Sequence, residues 1–138
     1  MPDRHVLAIP MGDPAGIGPE IILKALSCGI GEGHASVVVA GDRNLFAQTG
    51  SDCALGMPFD RVVESRSEAK EALSHGCRTI LLHMPLVDLK RFAYGRIDGM
   101  CGKAAYEAIK ETVALVGAGL AHAIVTPPLH KESLRAGG

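Results

Sequence analysis

An α/β layer fold, with a mainly parallel sheet flanked by helices, is what this sequence predicts, and three observations predict it. Short apolar runs suited to strands buried on both faces alternate with segments of helical spacing. Glycine, proline or aspartate follows most of these runs, as expected where a chain turns from strand into helix. The 138 residues hold one domain with a substantial core and leave no room for two.

Val6-Leu7-Ala8-Ile9 predicts the first strand, closed by Pro10 and a glycine-rich loop. A helix should follow. Pro19 fits its first position, Glu20 complements the positive end of the dipole, and Ile21, Ile22, Ala25 and Leu26 form the expected apolar face up to Cys28-Gly29. Val37-Val38-Val39-Ala40 predicts a second buried strand, with Gly41 as the turn and Asp42 as N-cap of a short helix to about Gln48. Residues 49–58 are small, polar and turn-rich, and predict an exposed connection.

Val62-Val63 is a short strand candidate, and Ser65-x-x-Glu68 has the form of a capping box opening a helix to about His75. Thr79 to His83 is the third clear strand. The segment from Pro85 to Met100 lacks periodicity and carries Tyr94-Gly95 and Asp98-Gly99 turns. Ala104, Ala105, Ala108, Ile109, Thr112, Val113 and Val116 then predict the longest helix, stopped by Gly117 and Gly119. Ala121 to Val125 predicts a further buried strand ending at Thr126-Pro127-Pro128, and Lys131 to Ala136 a last short helix.

Hydrophobic residues at 47% and charged residues at 21% exclude a disordered chain. A formal charge of -1 leaves no basic surplus for nucleic acid or an anionic membrane, so neither is an expected partner. The longest apolar stretches, such as 35–40 and 80–82, fall far short of the roughly 20 residues of a membrane span. The N-terminus has no signal-like apolar segment, which predicts a cytoplasmic location. The four cysteines, Cys28, Cys53, Cys77 and Cys101, form no CxxC and predict buried, reduced thiols.

Ligands in open α/β sheets bind beyond the carboxyl ends of the strands, which directs attention to three loops. In the first, Gly12-Asp13-Pro14-Ala15-Gly16-Ile17-Gly18 places glycines where backbone turns tightly or approaches a ligand ahead of a helix N-terminus. It is not a dinucleotide fingerprint, because Ile21 stands where the third glycine of GxGxxG belongs. Gly102-Lys103 is not a phosphate loop either, since Ile97 replaces its first glycine and Ala104 its hydroxyl. Gly99 to Lys103 nevertheless suits an anion at the start of the longest helix, or simply shapes a turn. The third loop joins Thr126, two prolines, His130, Lys131 and Glu132 directly after a strand. Among the histidines, His5, His34, His75 and His122 have no ligand partners at metal spacing, and His83 ends a strand without completing a triad.

The run from Met11 to Ile21 resembles the N-terminal signature of the 4-hydroxythreonine-4-phosphate dehydrogenase family of vitamin B6 biosynthesis, and more distantly the GDGIGPE loop of isocitrate and isopropylmalate dehydrogenases. Tyr94-Gly95-Arg96-Ile97 followed by Gly102-Lys103-Ala104-Ala105-Tyr106-Glu107 is similar to the family's middle segment. Ala123 to Leu134 is similar to its segment with a Thr, a Pro and a Lys before a short helix. The resemblance implies oxidation of a phosphorylated hydroxy acid such as 4-phosphohydroxy-L-threonine with NAD or NADP, followed by decarboxylation. A divalent metal (zinc, magnesium, cobalt or manganese) would act as Lewis acid, in a homodimer with active sites between two domains. The spelling around Met11 and Gly102 is nearest the D-threonate and D-erythronate 4-phosphate branch; another branch handles an aromatic cis-dihydrodiol acid.

On this resemblance Lys131 and Asp13 are the expected catalytic residues. Gly12, Asp13, Gly16 and Gly18 are expected at the cofactor, and Gly102, Lys103, Thr126 and His130 at the substrate. The family's Gly-His-Thr-Glu motif and its three metal-binding histidines do not occur before Gly138, so no metal ligand is assigned. Residues 1–138 are expected to be the N-terminal portion of a two-domain subunit. A non-catalytic phosphate- or small-ligand-binding module is the alternative from another class.

Overall fold

The computed structural model describes residues 4–29 and 33–138; residues 1–3, part of the N-terminal stretch considered above, and 30–32 lie outside it. Five strands form one sheet: β1 (His5–Pro10), β2 (Ala35–Gly41), β3 (Arg61–Val63), β4 (Thr79–His83) and β5 (Ala123–Ile124). Their spatial order is β3-β4-β2-β1-β5, and every pairing is parallel. Helices α1 (Gly18–Ser27), α2 (Arg43–Asp52), α3 (Arg66–Ser74), α4 (Gly99–Gly117) and α5 (Lys131–Ala136) complete the alternation. Among these helices none is long and apolar enough to cross a membrane.

Strand alternation divides the core. Val38, Ile80 and Leu82 pack with Ala69 and Ala72 of α3 and Leu115 of α4, while Val37, Val39 and Leu81 pack with Ile22 and Leu23 of α1 and Leu45 and Phe46 of α2. Side chains at successive strand positions point to opposite faces, so each central strand is apolar on both.

The first half of the chain follows the sequence pattern closely, with instructive departures. In α1 Ile22 and Leu23 are buried while Ile21 is 40% exposed, because the face turned to the sheet is centred one residue later than expected. Asp42 caps α2 as predicted, accepting from Asn44 N–H at 2.9 Å. The helix then runs on to Asp52, so the exposed connection expected from residue 49 begins later. Thr49 and Gly50 are buried there: Gly50 lies against the backbone of Gly56, and Leu55 N–H bonds to the Gly50 carbonyl at 2.7 Å. Gly41 ends β2 inside the sheet, where a Cβ would lie 2.7 Å from the Met11 Cβ. The capping box is shifted by one residue: Ser65 Oγ accepts from Glu68 N–H, but Glu68 Oε2 accepts from Glu64 N–H.

The second half departs more. In α4 the buried set is Cys101, Gly102, Ala104, Ala105, Ala108, Thr112 and Leu115, while Val113 is 55% exposed. The expected buried strand at 121–125 shrinks to two exposed residues, because β5 is an edge strand that, among the described residues, pairs with β1 alone. The aperiodic segment after β4 is held by Asp42, whose Oδ2 accepts from Leu86 and Val87 N–H, both at 2.9 Å. Of the cysteines, all free, only Cys101 is buried; Cys28 is exposed and Cys53 and Cys77 are partly buried.

Candidate functional site

Because α4 carries the chain from β4 across to the far side of β1, the sheet reverses its order of growth between β1 and β5. Loops leaving two strands on either side of such a reversal part from one another and leave a crevice at their carboxyl ends. A cleft of ≈ 250 Å³ lies there, lined by Asp13, Ala15, Gly16, Ile17, Gly95, Arg96, Pro128, Leu129 and His130.

The loop after β1 is built for close approach. Gly12 has φ +80, and a Cβ on it would sit 2.8 Å from Pro127 Cγ and 3.2 Å from the Pro128 carbonyl. At Gly18 a Cβ would meet the Met11 carbonyl at 2.7 Å. Both glycines therefore serve to lock the loops after β1 and β5 together, behind the cleft. Asp13 is buried, with Oδ1 accepting from Ala15 N–H at 2.9 Å while its carbonyl accepts from Gly16 N–H at 3.0 Å. Gly16 is exposed and its missing side chain leaves an open wall. Ile17 occupies the N-cap position of α1 and makes no side-chain capping hydrogen bond to the first turn.

The other wall comes from the aperiodic segment. Gly95 N–H bonds to the Ala15 carbonyl at 2.7 Å, pinning Arg96 beside the first loop. Arg96 Nη2 donates to Asp98 Oδ2 at 2.7 Å, and Asp98 Oδ1 caps α4 through Met100 N–H at 2.8 Å. These two contacts hold the Asp98 carboxyl below its usual range, the guanidinium contributing most. Asp98 N–H reaches Ser133 Oγ at 3.4 Å, and Ser133 N–H reaches His130 Nδ1, also at 3.4 Å. His130 is thus the N-cap of α5 as well as a cleft residue. Beneath them the Cys101 thiol is pushed up to about 11, by burial first and then by the Asp13 and Asp98 carboxylates.

Of the residues singled out in the sequence, Asp13, Gly16 and His130 line this cleft, with Gly12 and Gly18 packed behind it. Thr126 and Lys131 are exposed nearby and lie outside its lining. Lys103 lines a separate groove with Tyr106, Glu107 and Leu134. Gly102 borders that groove, and its Cα is pressed against the Ser133 carbonyl of α5, so packing alone requires glycine there. Arg96 and Gly95 were not singled out as site residues. Their signal was the Gly95 turn, φ +71, whose long-range anchor on Ala15 has no sequence mark. His83 at the end of β4 accepts from Arg43 N–H at the start of α2 and lies outside the cleft lining. Among the described residues no group of three His, Cys, Asp or Glu side chains fits a metal ion.

An all-parallel sheet flanked by helices, with a glycine loop and a cleft at its point of reversal, places the chain among open α/β folds, whose ligands sit at such a crevice. The chain belongs to the family of the pyridoxal phosphate biosynthetic protein PdxA, whose sequence model matches residues 33–138. It is 39% identical over 137 residues to a Fusobacterium nucleatum protein provisionally named a D-threonate 4-phosphate dehydrogenase, covering 97% of this chain and 39% of that one. A Pectobacterium atrosepticum D-threonate 4-phosphate dehydrogenase is 35% identical over 133 residues, covering 96% of this chain and 40% of the relative. The crystal structure of a 4-hydroxythreonine-4-phosphate dehydrogenase from Burkholderia phymatum superposes with a TM-score of 0.83 at 29% identity, covering 99% of this chain and 40% of that chain. The chain thus spans about two-fifths of the length of these relatives.

Proposed function

We propose that this chain forms the loop-bearing part of an NAD- or NADP-dependent dehydrogenase that oxidises the alcohol of a phosphorylated hydroxy acid. D-threonate 4-phosphate and 4-phosphohydroxy-L-threonine are the substrates whose enzymes it is similar to. The observation that carries the reading is the cleft at the β1–β5 reversal, walled by the glycine loop on one side and by Arg96 and His130 on the other. When bound, the nicotinamide would accept a hydride from the alcohol carbon. Gly16 and Ile17 would lie against the cofactor, and His130 toward the substrate.

Asp13 acts here as a positioning residue: its buried carboxylate shapes the loop through Ala15 N–H and is already engaged. Lys131, exposed at the start of α5, supplies positive charge toward the substrate from the cleft's rim. The divalent metal and the decarboxylation of the ketone product are assigned to the part of the relatives' length that this chain does not span. A cytoplasmic homodimer with sites shared between subunits completes the reading.

The test is reduction of NAD and of NADP, followed by absorbance, with each of the two substrates and with or without added divalent metal. It is run on the 138-residue chain and on a protein of the relatives' full length carrying it. Metal-dependent turnover is expected from the long protein alone. Turnover by the 138 residues would overturn the assignment of metal and substrate contacts to other residues. Failure of the long protein with both substrates and both cofactors would remove the dehydrogenase reading and leave a small-ligand-binding module.

A further inference from the structure

Arg96 brings a permanent positive charge to the cleft wall. Its Nη2 donates both to the Arg91 carbonyl and to Asp98 Oδ2, each at 2.7 Å. Two fixed acceptors on one nitrogen hold the guanidinium in place, and no acceptor among the described residues takes its Nε or Nη1. The side chain is 54% exposed, whereas Asp98 is 12% exposed and divided between Arg96 and the Met100 amide. Asp98 therefore neutralises the arginine only from behind. Asp13, the acid in the cleft lining, is buried and bonded to Ala15 N–H. Apart from His130, the remaining lining is small or apolar, with Gly16, Ile17, Pro128 and Leu129.

We propose that Arg96 is the phosphate-recognising side chain of this cleft, its free Nε–H and Nη1–H groups donating to a phosphoryl oxyanion seated against Gly16. The inference rests on the functional reading above and deepens it. A guanidinium fixed on the Arg91 carbonyl is preorganised for such an anion, because little rotamer freedom is lost on binding, while the Asp98 carboxylate draws on its charge. Two sources share this chemistry, the pyrophosphate of the nicotinamide cofactor and the phosphate ester of the substrate.

Titration calorimetry of the full chain with ADP and, separately, with D-threonate 4-phosphate distinguishes the sources. Arg96→Gln is expected to weaken one of them by about tenfold or more, the size of effect for a lost charge-assisted hydrogen bond, and to spare the other. Loss confined to ADP assigns the cofactor, and loss confined to the threonate ester assigns the substrate. Arg96→Lys keeps the charge and should recover part of the affinity. Asp98→Asn keeps an oxygen on the Met100 amide and removes the competing negative charge while the Arg91 carbonyl still holds the arginine, so it should tighten the same ligand.

If Arg96 only stiffens its turn, Arg96→Gln and Asp98→Asn will weaken binding alike, or Arg96→Gln will bind both ligands as the wild type does; either result overturns the proposal. So does a wild-type chain that binds neither probe. Should Arg96→Gln fail to fold, judged by its melting curve, the comparison of Arg96→Lys and Asp98→Asn decides by the same criterion. Cofactor reduction is measured in parallel. Arginine-dependent binding without turnover by the protein of the relatives' full length would refute the dehydrogenase reading and leave the phosphate site standing.

Discussion

Gly102 shows how a single position is decided by what approaches it. A methyl group there would overlap the Ser133 carbonyl, and Gly99 and Gly137 are similarly crowded where α4 and α5 cross, with Cβ approaches of 2.7 and 2.6 Å. Gly102→Ala should therefore lower stability by about 1–3 kcal/mol through forced separation of the two helices, seen as a shifted denaturation midpoint. Gly117→Ala, where a Cβ meets nothing within 4 Å, is the control and should leave the midpoint nearly unchanged or slightly raised. Cysteine reactivity follows local environment in the same way. The Cys101 thiol, buried and raised to about 11, should resist a thiol reagent at neutral pH until the chain unfolds, while exposed Cys28 reacts in the native state. Native labelling of Cys101 at the rate of Cys28 would contradict the packing described.

Capping at the helix starts makes separable predictions at the scale of elements. Asp98→Ala removes the acceptor for Met100 N–H and the partner of Arg96, and should cost about 1 kcal/mol or more at neutral pH. The pH dependence has a definite sign. Because the folded carboxyl lies below its usual value, Asp98 stabilises the fold fully above about pH 3.9, and this is lost as pH falls through the lower folded value. Asp98→Asn should accordingly flatten the acid limb of the stability profile, measured by denaturant melts from neutral pH into acid. Asp42 carries more. Its carboxylate takes Asn44, Leu86 and Val87 N–H together, so Asp42→Ala strands partly buried amides and frays the start of α2. A loss of roughly 2–4 kcal/mol is expected, with hydrogen exchange accelerating first at Leu86 and Val87.

For the molecule as a whole, the exposed edge at β5 is the feature with the clearest consequence. Ile124 is 36% exposed on a strand that, among the described residues, pairs on the β1 side alone, and Val125 just beyond it is 48% exposed. Unpaired edge amides and apolar side chains favour association between chains, and a lysine on the edge disfavours it. The 138-residue chain should sediment as a concentration-dependent mixture, and Val125→Lys should shift it toward the monomer; a monomer at all concentrations would count against this.

The fold class was legible because central parallel strands are apolar on both faces and the chain punctuates them with glycine, proline and capping aspartates, all of which act locally. The runs at Val37 and Thr79, the Asp42 cap and the last helix from Lys131 to Ala136 needed nothing beyond their neighbours. The glycine loop was legible as a loop, since positive φ and close approach select glycine whatever the partner. That Pro127 is the partner at Gly12, that Gly95 docks on Ala15, and that Gly102 lies under α5 were decided by tertiary structure. So was the separation of Lys103 from the cleft that holds Asp13 and His130. The physical reason is the same in each case: periodicity and capping report energies between residues a few positions apart, whereas a cleft is made where segments distant in sequence meet, and nothing in a local pattern records which strand edge is left open or which loop folds over it.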